Sequence, residues 1–243
     1  MPNPTAAILV IGDEILSGRT QDTNTHFLAG ELTAKGIDLA EVRVVSDDHD
    51  IIVNSLNSLR KSFDHVFTSG GIGPTHDDIT ADCVASAFGV GISIRNDARA
   101  ILEARYEKLG MQINDARLLM ARIPDGAILI DNPVSGAPGF TIGNVHVMAG
   151  VPSVFRAMVA SVLATLADGK PLISRTLRIN LVESHIAGPL TRLADRYPDL
   201  SIGSYPFQHE GIFGADIVIR GQDVEMINAA IVELTKVFPK DHQ

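Results

Sequence analysis

The stretch with the clearest chemical potential is residues 68–80, with the sequence TSGGIGPTHDDIT. It lies between a strand-like run and a helix-like run, so its glycines fall on a strand-to-helix turn. Gly70, Gly71 and Gly73 can adopt backbone angles that are closed to other residues, which lets a ligand approach the main chain. The N–H groups at the start of the following helix attract an anion. We therefore predict a loop that binds a phosphorylated ligand.

Acidic side chains crowd the same loop. Asp77 and Asp78 would repel a phosphate unless a divalent cation such as Mg²⁺ lies between them, so both are candidate metal ligands. Thr75 and Asp78 also fit a capping box, which would only start the helix, and the sequence leaves both interpretations open. The loop lacks the Gly-Lys-Ser/Thr ending of a P-loop and the spacing of a dinucleotide fingerprint, so neither of those sites is predicted.

Two further polar loops follow predicted strands. Residues 5–11 form a continuous apolar run typical of a strand buried on both faces, and the loop after it carries Asp13, Ser17 and Gly18. Open α/β sheets bind ligands at the carboxyl ends of their strands, so these three residues are candidate ligand contacts. The alternative is a surface connection in which Asp22 or Thr23 caps the next helix.

The second such loop follows a predicted strand at residues 37–45. It carries Asp47 and Asp48, either of which is a candidate functional carboxylate or the N-cap of the next helix. The third strand, residues 64–68, leads into the glycine loop. Strands and helices that alternate in this way predict an α/β fold, with helices on both faces of a mostly parallel sheet. The three polar loops would then emerge at one edge and form a composite site.

Further along the chain the pattern predicts short elements and a domain boundary. Helices are expected at residues 97–109 and 114–122, and strands at residues 127–130, 140–142 and 145–148, the last two as a hairpin.

The sequence Asp-Gly-Lys-Pro at residues 168–171 marks a boundary between residues 1–168 and residues 169–243. Beyond it a strand, helix, strand, strand, helix order predicts a small α+β subdomain. Its candidate site residues are Glu183, Ser184, His185 and Tyr205, with Ser184 favoured as a helix N-cap.

Composition limits the possible partners. The 243 residues carry a net charge of −9 without a Lys/Arg cluster, which argues against a nucleic-acid or anionic membrane surface. Cys83 is the single cysteine and is predicted to be a small buried hydrophobic residue. The N-terminus lacks a signal-like pattern and no run approaches the ~20 apolar residues of a membrane span, so we expect a cytoplasmic protein.

Five motifs resemble one family. IGDEILSG with DTN shortly after, VVSDD, TSGGIGPTHDDIT, NPVSGAPGF and GVPS resemble the molybdopterin-binding family of MoaB, Mog and the N-terminal domain of the competence/damage-inducible protein CinA. The CinA-like branch is the most similar, because it shares the GPTHDDIT ending and a small domain after the main one. The resemblance covers essentially the whole chain. It implies a three-layer α/β/α fold and, without the C-terminal amidohydrolase domain of full-length CinA-like proteins, no deamidation of a nicotinamide nucleotide.

The resemblance also implies residue roles. Gly70, Gly71, Gly73 and Thr75 would cradle the phosphate of molybdopterin or a nucleotide, and Ser17 and Gly18 would contact the same ligand. Asp47 and Asp78 match the two functional carboxylates of the family. The family commonly oligomerises, so a homo-oligomer, dimer or trimer, is expected.

Two functions follow from the resemblance. The first is binding of molybdopterin or a nucleotide, and the alternative is a divalent-metal-dependent pyrophosphatase that cleaves ADP-ribose or FAD-type dinucleotides. The chain departs from the CinA-like pattern at Ser135-Gly136, where Gly-Thr is usual. It also has Ala149 in place of a Pro and Val154 in place of a Glu. Since a carboxylate near the expected metal is lost, binding is favoured over hydrolysis.

Overall fold

The computed structural model describes residues 3–209 and 211–238. The chain divides into two compact units, Met1–Gly169 and Lys170–Gln243. The strands of the first unit are β1 Thr5–Ile11, β2 Asp38–Val45, β3 His65–Ser69, β4 Ile92–Ile94, β5 Arg122–Pro124, β6 Ile128–Ile130, β7 Gly139–Ile142 and β8 Val145–Met148. Its helices are α1 Asp13–Leu16, α2 Asn24–Lys35, α3 His49–Ser62, α4 Thr80–Phe88, α5 Asn96–Lys108, α6 Asp115–Leu118 and α7 Pro152–Leu163, with a 3-10 turn at Leu119–Ala121.

A mixed, mostly parallel sheet forms the centre of the first unit. Its strand order is β2-β1-β3-β8-β7-β6. The neighbours from β2 to β8 pair in parallel, whereas β7 is antiparallel to both β8 and β6. The predicted hairpin at β7 and β8 is confirmed. The carboxyl ends of β1, β2, β3 and β8 consequently share one edge.

Side chains of β1 alternate between two apolar layers, because successive residues of a strand point to opposite faces. Ala7, Leu9 and Ile11 pack with residues of α3, α4 and α5 on one face. Ala6, Ile8 and Val10 pack with residues of α2 and α7 on the other. The fold is therefore a three-layer α/β/α sandwich, as the sequence pattern and the family resemblance both predict.

Two of the candidate acidic residues are helix caps. The Oδ1 atom of Asp48 accepts a hydrogen bond from the N–H of Ile51 and caps α3, which leaves Asp47 outside the cap. The Oδ1 atom of Asp22 accepts hydrogen bonds from the N–H groups of Asn24 and Thr25 at the start of α2. Asp22 is thus a capping residue. Asp47 does not cap α3, so its carboxylate can make other contacts at the carboxyl edge of the sheet.

The predicted helix over residues 114–122 is wrong in its second half. Asn114 caps the short helix α6, the chain tightens into a 3-10 turn, and residues from Arg122 onward form β5 instead. β5 pairs antiparallel with β4, and neither strand was predicted. The strand is favoured because Ile123 is buried in the core and Arg122 forms an ion pair with Asp82 of α4.

The second unit is a small α+β structure with the predicted element order. It comprises β9 Ile173–Ile179, α8 Glu183–Arg196, β10 Ser201–His209, β11 Ile212–Gly221 and α9 Val224–Val237. Its strands form an antiparallel sheet in the order β10-β11-β9, so β9 joins the predicted antiparallel pair. Aliphatic residues of the sheet and both helices share one core, to which Ile179, Ile186 and Ile217 belong.

The candidate residues of the second unit have local roles. The prediction that Ser184 is an N-cap is wrong, because α8 begins at Glu183 and Val182 occupies the cap position. Glu183 accepts a hydrogen bond from Ser204, and the hydroxyl of Tyr205 accepts one from Arg220. These pairs tie neighbouring elements of the unit together.

Two further sequence predictions concern burial and membranes. Cys83 is fully buried, as predicted, and this burial raises the pKa of its thiol to about 12, so it stays protonated. Among the described residues, no helix combines the length and the apolar character needed to cross a membrane.

Buried His146 of β8 contacts half-buried His65 of β3 and Thr141 of β7. The Nε2 atom of His146 lies 3.4 Å from the Nδ1 atom of His65, and its Nδ1 atom lies 3.0 Å from the hydroxyl of Thr141. Burial, with His65 as a smaller contribution, lowers the pKa of His146 to about 4. The imidazole of His146 is therefore neutral in the folded protein at neutral pH.

We predict that this histidine makes stability depend on pH. The unfolded chain takes up a proton near the ordinary histidine pKa of about 6.5, whereas folded His146 does not, so stability is full above that value and falls as the pH drops towards 4. The loss between about pH 7.5 and about pH 5 amounts to about 2 kcal/mol. His146→Gln should remove most of this dependence in urea unfolding, and exposed His26→Gln should retain it. An unchanged pH dependence in His146→Gln would contradict the prediction.

Candidate ligand-binding cleft

A cleft of about 580 Å³ opens at the carboxyl edge of the central sheet. Its walls come from the three predicted polar loops, from two further segments after β6 and β8, and from Met120 of the 3-10 turn. The residues that line it are Ile11, Gly12, Glu14, Arg19, Thr20, Asp47, Gly70, Gly71, Ile72, Gly73, Pro74, Asp77, Asp78, Met120, Asn132, Ser135, Ala137, Ala149, Gly150, Val151, Pro152 and Val154. The parallel strands bring these segments together because their carboxyl ends all meet at this edge.

The glycine loop needs glycine at its first two positions. Gly70 has a φ of 112°, and a Cβ atom placed there would lie 2.2 Å from the carbonyl oxygen of Ile11. Gly71 has a φ of 67°, and a Cβ atom there would lie 2.1 Å from the Oγ1 atom of Thr80. Thr80 donates its hydroxyl to the carbonyl of Gly70 and its N–H to the carbonyl of Gly71. The turn is therefore held against both the end of β1 and the start of α4.

The backbone of the loop leaves donors available to a ligand. Gly70 donates its N–H to the carbonyl of Met148, and Thr75 donates to the carboxylate of Asp78. Between them, the N–H groups of Gly71, Ile72 and Gly73 have no protein acceptor within residues 3–209 and 211–238. All three residues line the cleft. Consecutive N–H groups of this kind form a cradle for an anion.

Thr75 and Asp78 do not form the predicted capping box. The Oδ2 atom of Asp78 accepts hydrogen bonds from the N–H and the hydroxyl of Thr75, at 2.8 Å and 2.6 Å. Helix α4, however, begins only at Thr80, after Ile79, and its cap makes no side-chain hydrogen bond. The pair instead closes a turn that precedes the helix. Asp78 thereby keeps its Oδ1 atom for another partner.

Asp47 lies among other carboxylates at the edge of the cleft. Its Oδ2 atom accepts a hydrogen bond of 3.0 Å from the N–H of Asp13. Burial, followed by the nearby carboxylates of Asp13, Glu14 and Asp77, raises the pKa of Asp47, although the Asp13 N–H opposes the rise. A carboxylate with a raised pKa accepts a proton more readily and gains from a neighbouring cation.

Two carboxylates of the cleft offer oxygen atoms to a cation. Within the described ranges, no three His, Cys, Asp or Glu side chains converge as a metal-binding group. Asp47 and Asp78 each have one carboxylate oxygen without a described hydrogen bond, and Asp77 lies on the same wall. This donor set fits Mg²⁺, which is commonly bound by one or two carboxylates, with substrate phosphates and waters as the other ligands.

Most of the predicted site residues line the cleft. Gly70, Gly71, Gly73, Asp47, Asp77 and Asp78 all do so.

Asp13, Ser17, Gly18 and Thr75 are not among the lining residues. Ser17 and Gly18 donate their N–H groups to carbonyls of α1 and so close that helix, while Thr75 lines a neighbouring cavity of about 160 Å³. Contacts of these four residues with a ligand stay a prediction.

Sequence reasoning missed Arg19, Thr20 and Asn132. Arg19 is the one Lys or Arg among the cleft-lining residues, and it directly follows Gly18 in the loop already singled out. Asn132 shapes its own loop, since its Oδ1 atom accepts from Val134 and Ser135 and its Nδ2 atom donates to Ala137. The basic residue Arg19 in an otherwise acidic loop could have been recognised from the sequence. The role of Asn132 could not, because its hydrogen bonds form only in the folded loop.

The fold and the cleft define a class of α/β proteins with a ligand site at the carboxyl edge of a mostly parallel sheet. Residues 7–168 match the family model described as "Probable molybdopterin binding domain". The chain belongs to this family, which confirms the resemblance seen in the sequence. Residues 171–243 match a second model, described as "FAD synthase, middle domain".

Individual relatives agree with this assignment. The structure of CinA from Thermoplasma acidophilum, described as a protein with unknown function, is 34% identical with a TM-score of 0.62, covering 67% of this chain and 99% of that one. A protein of Archaeoglobus fulgidus is 32% identical over 95% of this chain and 96% of its own length. A "Probable FAD synthase" of Caenorhabditis elegans is 32% identical over 96% of this chain, which spans 50% of that relative's length.

We predict that Gly70→Ala destabilises the protein far more than Gly18→Ala. Both glycines have positive φ angles, but a methyl group at Gly70 meets the Ile11 carbonyl whereas nothing lies within 4 Å at Gly18. Backbone strain alone costs about 1–2 kcal/mol, and the collision should raise the loss at Gly70 to about 3 kcal/mol or more. Urea unfolding of the two variants measures the difference. Equal losses would show that the loop moves away from β1 without cost.

We predict that Asp47→Asn raises stability at neutral pH. The raised pKa of Asp47 means that its ionised form is disfavoured in the folded protein, and the asparagine oxygen can still accept the Asp13 N–H. The gain in melting temperature should be full at neutral pH and vanish as the pH falls below the ordinary aspartate value of 3.8. Thermal melts at several pH values, with exposed Asp50→Asn as control, measure it. A gain that persists in acid would contradict the electrostatic cause.

Proposed function

We propose that the first unit binds a phosphorylated nucleotide or molybdopterin in the cleft, with a phosphate on the Gly71–Gly73 backbone. The observation that carries the proposal is the set of three consecutive N–H groups at Gly71, Ile72 and Gly73, which line the cleft and have no acceptor among the described residues. Backbone donors suit this chain because its net charge is −9 and Arg19 is the cation on the cleft wall.

Acidic residues of the cleft support a cation as part of the bound complex. A phosphate on the glycine loop would lie beside Asp77 and Asp78, with Asp47 on the opposing loop. In our proposal Asp47 and Asp78 hold a divalent cation through their unoccupied carboxylate oxygens, and Asp77 adds negative charge nearby. When bound, the cation would neutralise the phosphate and complete its coordination with phosphate oxygens and water.

Between the two ligand classes, we favour a nucleotide with a pyrophosphate group. Residues 171–243 match the FAD synthase middle domain, and the C. elegans relative carries the name "Probable FAD synthase". Both descriptions concern a dinucleotide, whereas the description of the first unit names molybdopterin. The cleft volume of about 580 Å³ is within the range of small-molecule sites, about 300–1,000 Å³.

Pyrophosphate hydrolysis is the second candidate function, and Asp47 is the observation that favours it. Its carboxylate lines the cleft and keeps its Oδ1 atom without a described hydrogen bond, so in this second candidate Asp47 accepts a proton from water instead of holding the cation. In the proposed reaction a water oxygen bonds to one phosphorus, the P–O bond to the bridging oxygen breaks, and the water proton passes to Asp47.

Against hydrolysis stands Val154, which fills the position where the family pattern has Glu. Val154 lies in the first turn of α7, is 7% exposed and lines the cleft. An apolar residue there cannot hold a metal or orient water, so we rank binding above hydrolysis.

We predict saturable binding of ADP-ribose and FAD in the presence of Mg²⁺, without turnover. Titration calorimetry measures binding, and chromatographic detection of AMP with Mg²⁺, Mn²⁺ or Co²⁺ measures hydrolysis. Asp78→Asn should weaken nucleotide binding at least tenfold through loss of the cation, and the surface variant Asp131→Asn should not. AMP production that Asp78→Asn abolishes would decide for the enzyme. If none of ADP-ribose, FAD and molybdopterin binds, the proposal is wrong.

Cytoplasmic location and homo-oligomerisation stay predictions.

A further inference from the structure

A small cavity adjoins the cleft and contains an unpaired polar atom. It measures about 60 Å³, about a tenth of the cleft. The two cavities share Ile11, Glu14, Thr20, Gly150 and Pro152 as common walls. The small cavity is completed by Val10, Ile15, Gln21, Asp22, Thr23, Asn24 and Ser69, so its lining includes no Lys or Arg.

Asn24 carries the unpaired atom. Its side chain is 5% exposed, and its Nδ2 atom donates to the carbonyl of Gly150 at 2.7 Å and to the hydroxyl of Ser69 at 2.9 Å. A carbonyl oxygen can only accept, so the amide atom beside Gly150 must be the nitrogen. The orientation of the amide is thereby fixed. Its Oδ1 atom has no hydrogen-bond partner among the described residues.

A buried amide oxygen without a protein partner is costly, so water or a ligand must supply a donor to it. Glu14 provides a second acceptor on the same wall, and none of the described hydrogen bonds involves its carboxylate. Asp22 is less available, because its carboxylate already caps α2. Two acceptors without a cation exclude a phosphate or carboxylate and select a group that donates hydrogen bonds.

The small cavity lies next to the glycine loop. Gly150, whose carbonyl holds Asn24, packs directly on the loop, since a Cβ atom at Gly150 would lie 3.3 Å from the Cα atom of Gly70. Ser69, the other partner of Asn24, directly precedes Gly70 in the chain. A group bound at Asn24 would therefore lie beside the glycine loop that holds the phosphate in our proposal. The hydroxyls of a ribose stand in that relation to its 5′-phosphate, and acidic side chains commonly bind them.

We infer that Asn24 and Glu14 form a subsite for the vicinal hydroxyls of a ribose. The inference rests on the proposed function, because it requires the phosphate of the same ligand to occupy the glycine loop. Asn24 Oδ1 accepts one hydroxyl proton and the Glu14 carboxylate accepts the other. The subsite distinguishes ribonucleotides from deoxynucleotides and makes the ligand a nucleotide rather than a sugar-free pterin phosphate.

The test compares ADP with 2′,3′-dideoxy-ADP, both with Mg²⁺, by titration calorimetry of the whole chain. ADP should bind at least tenfold more tightly, because the analogue leaves both acceptors unpaired. Glu14→Ala and Asn24→Ala should each reduce this preference towards unity. Glu14→Ala keeps the Asn24 contacts and should fold normally, so the result does not depend on the stability of Asn24→Ala. Glu31→Ala on the exposed side of α2 is the control and should keep the full preference.

Each other outcome overturns the inference in a distinguishable way. Equal affinity of the two nucleotides in the unaltered protein overturns the ribose subsite and leaves the phosphate site standing. Absence of binding by either nucleotide overturns both proposals. A preference that both variants retain places ribose recognition elsewhere. If K⁺ or Mg²⁺ alone raises the melting temperature and Glu14→Ala abolishes the rise, the cavity is a cation site instead.

Discussion

The close approach of Gly70 to the end of β1 is the constraint on which the cleft depends. With a Cβ position only 2.2 Å from the carbonyl of Ile11, the turn can pass over β1 only if this residue is glycine. That passage places the next three N–H groups on the cleft wall and leads the chain to Thr80. Thr80 then ties the turn to α4 through hydrogen bonds to Gly70 and Gly71. The contact of Gly70 with the end of β1 therefore also determines where the N–H groups of Gly71, Ile72 and Gly73 lie.

Electrostatics gives the cleft its second property. An acidic chain offers a phosphate few cationic side chains, and Arg19 is the one that lines the cleft. The backbone N–H groups would attract a phosphate, while Asp47, Asp77 and Asp78 place negative charge on the same cleft wall. The two effects oppose each other for a bare phosphate and cooperate for a phosphate bound with a divalent cation. Burial is the main cause of the raised pKa of Asp47, and the carboxylates of Asp13, Glu14 and Asp77 add to it.

Helix capping illustrates where local sequence reasoning reaches its limit. Asp47 and Asp48 are adjacent and have the same side chain. From the sequence, either one could be the N-cap of α3 or the functional carboxylate. The direction of β2 at its end decides that Asp48 reaches the first turn of α3 while Asp47 turns back to the N–H of Asp13. In the same way, Thr75 and Asp78 are spaced as a capping box, but the helix starts later, because the chain first returns its Thr80 N–H to the Gly71 carbonyl.

By itself, the sequence determined the alternation of strands and helices, the three-layer fold, the glycine loop and the family. Those features depend on hydrophobic periodicity and on residue types with local conformational consequences. Tertiary structure alone decided that Ile123 belongs to a strand, that Ser17 and Gly18 are not among the cleft-lining residues, and that Arg19 is. It also decided that Asn24 is buried with one unpaired oxygen. Packing between residues that are far apart in the chain decides which polar atoms find a hydrogen-bond partner. Local sequence patterns do not report those contacts.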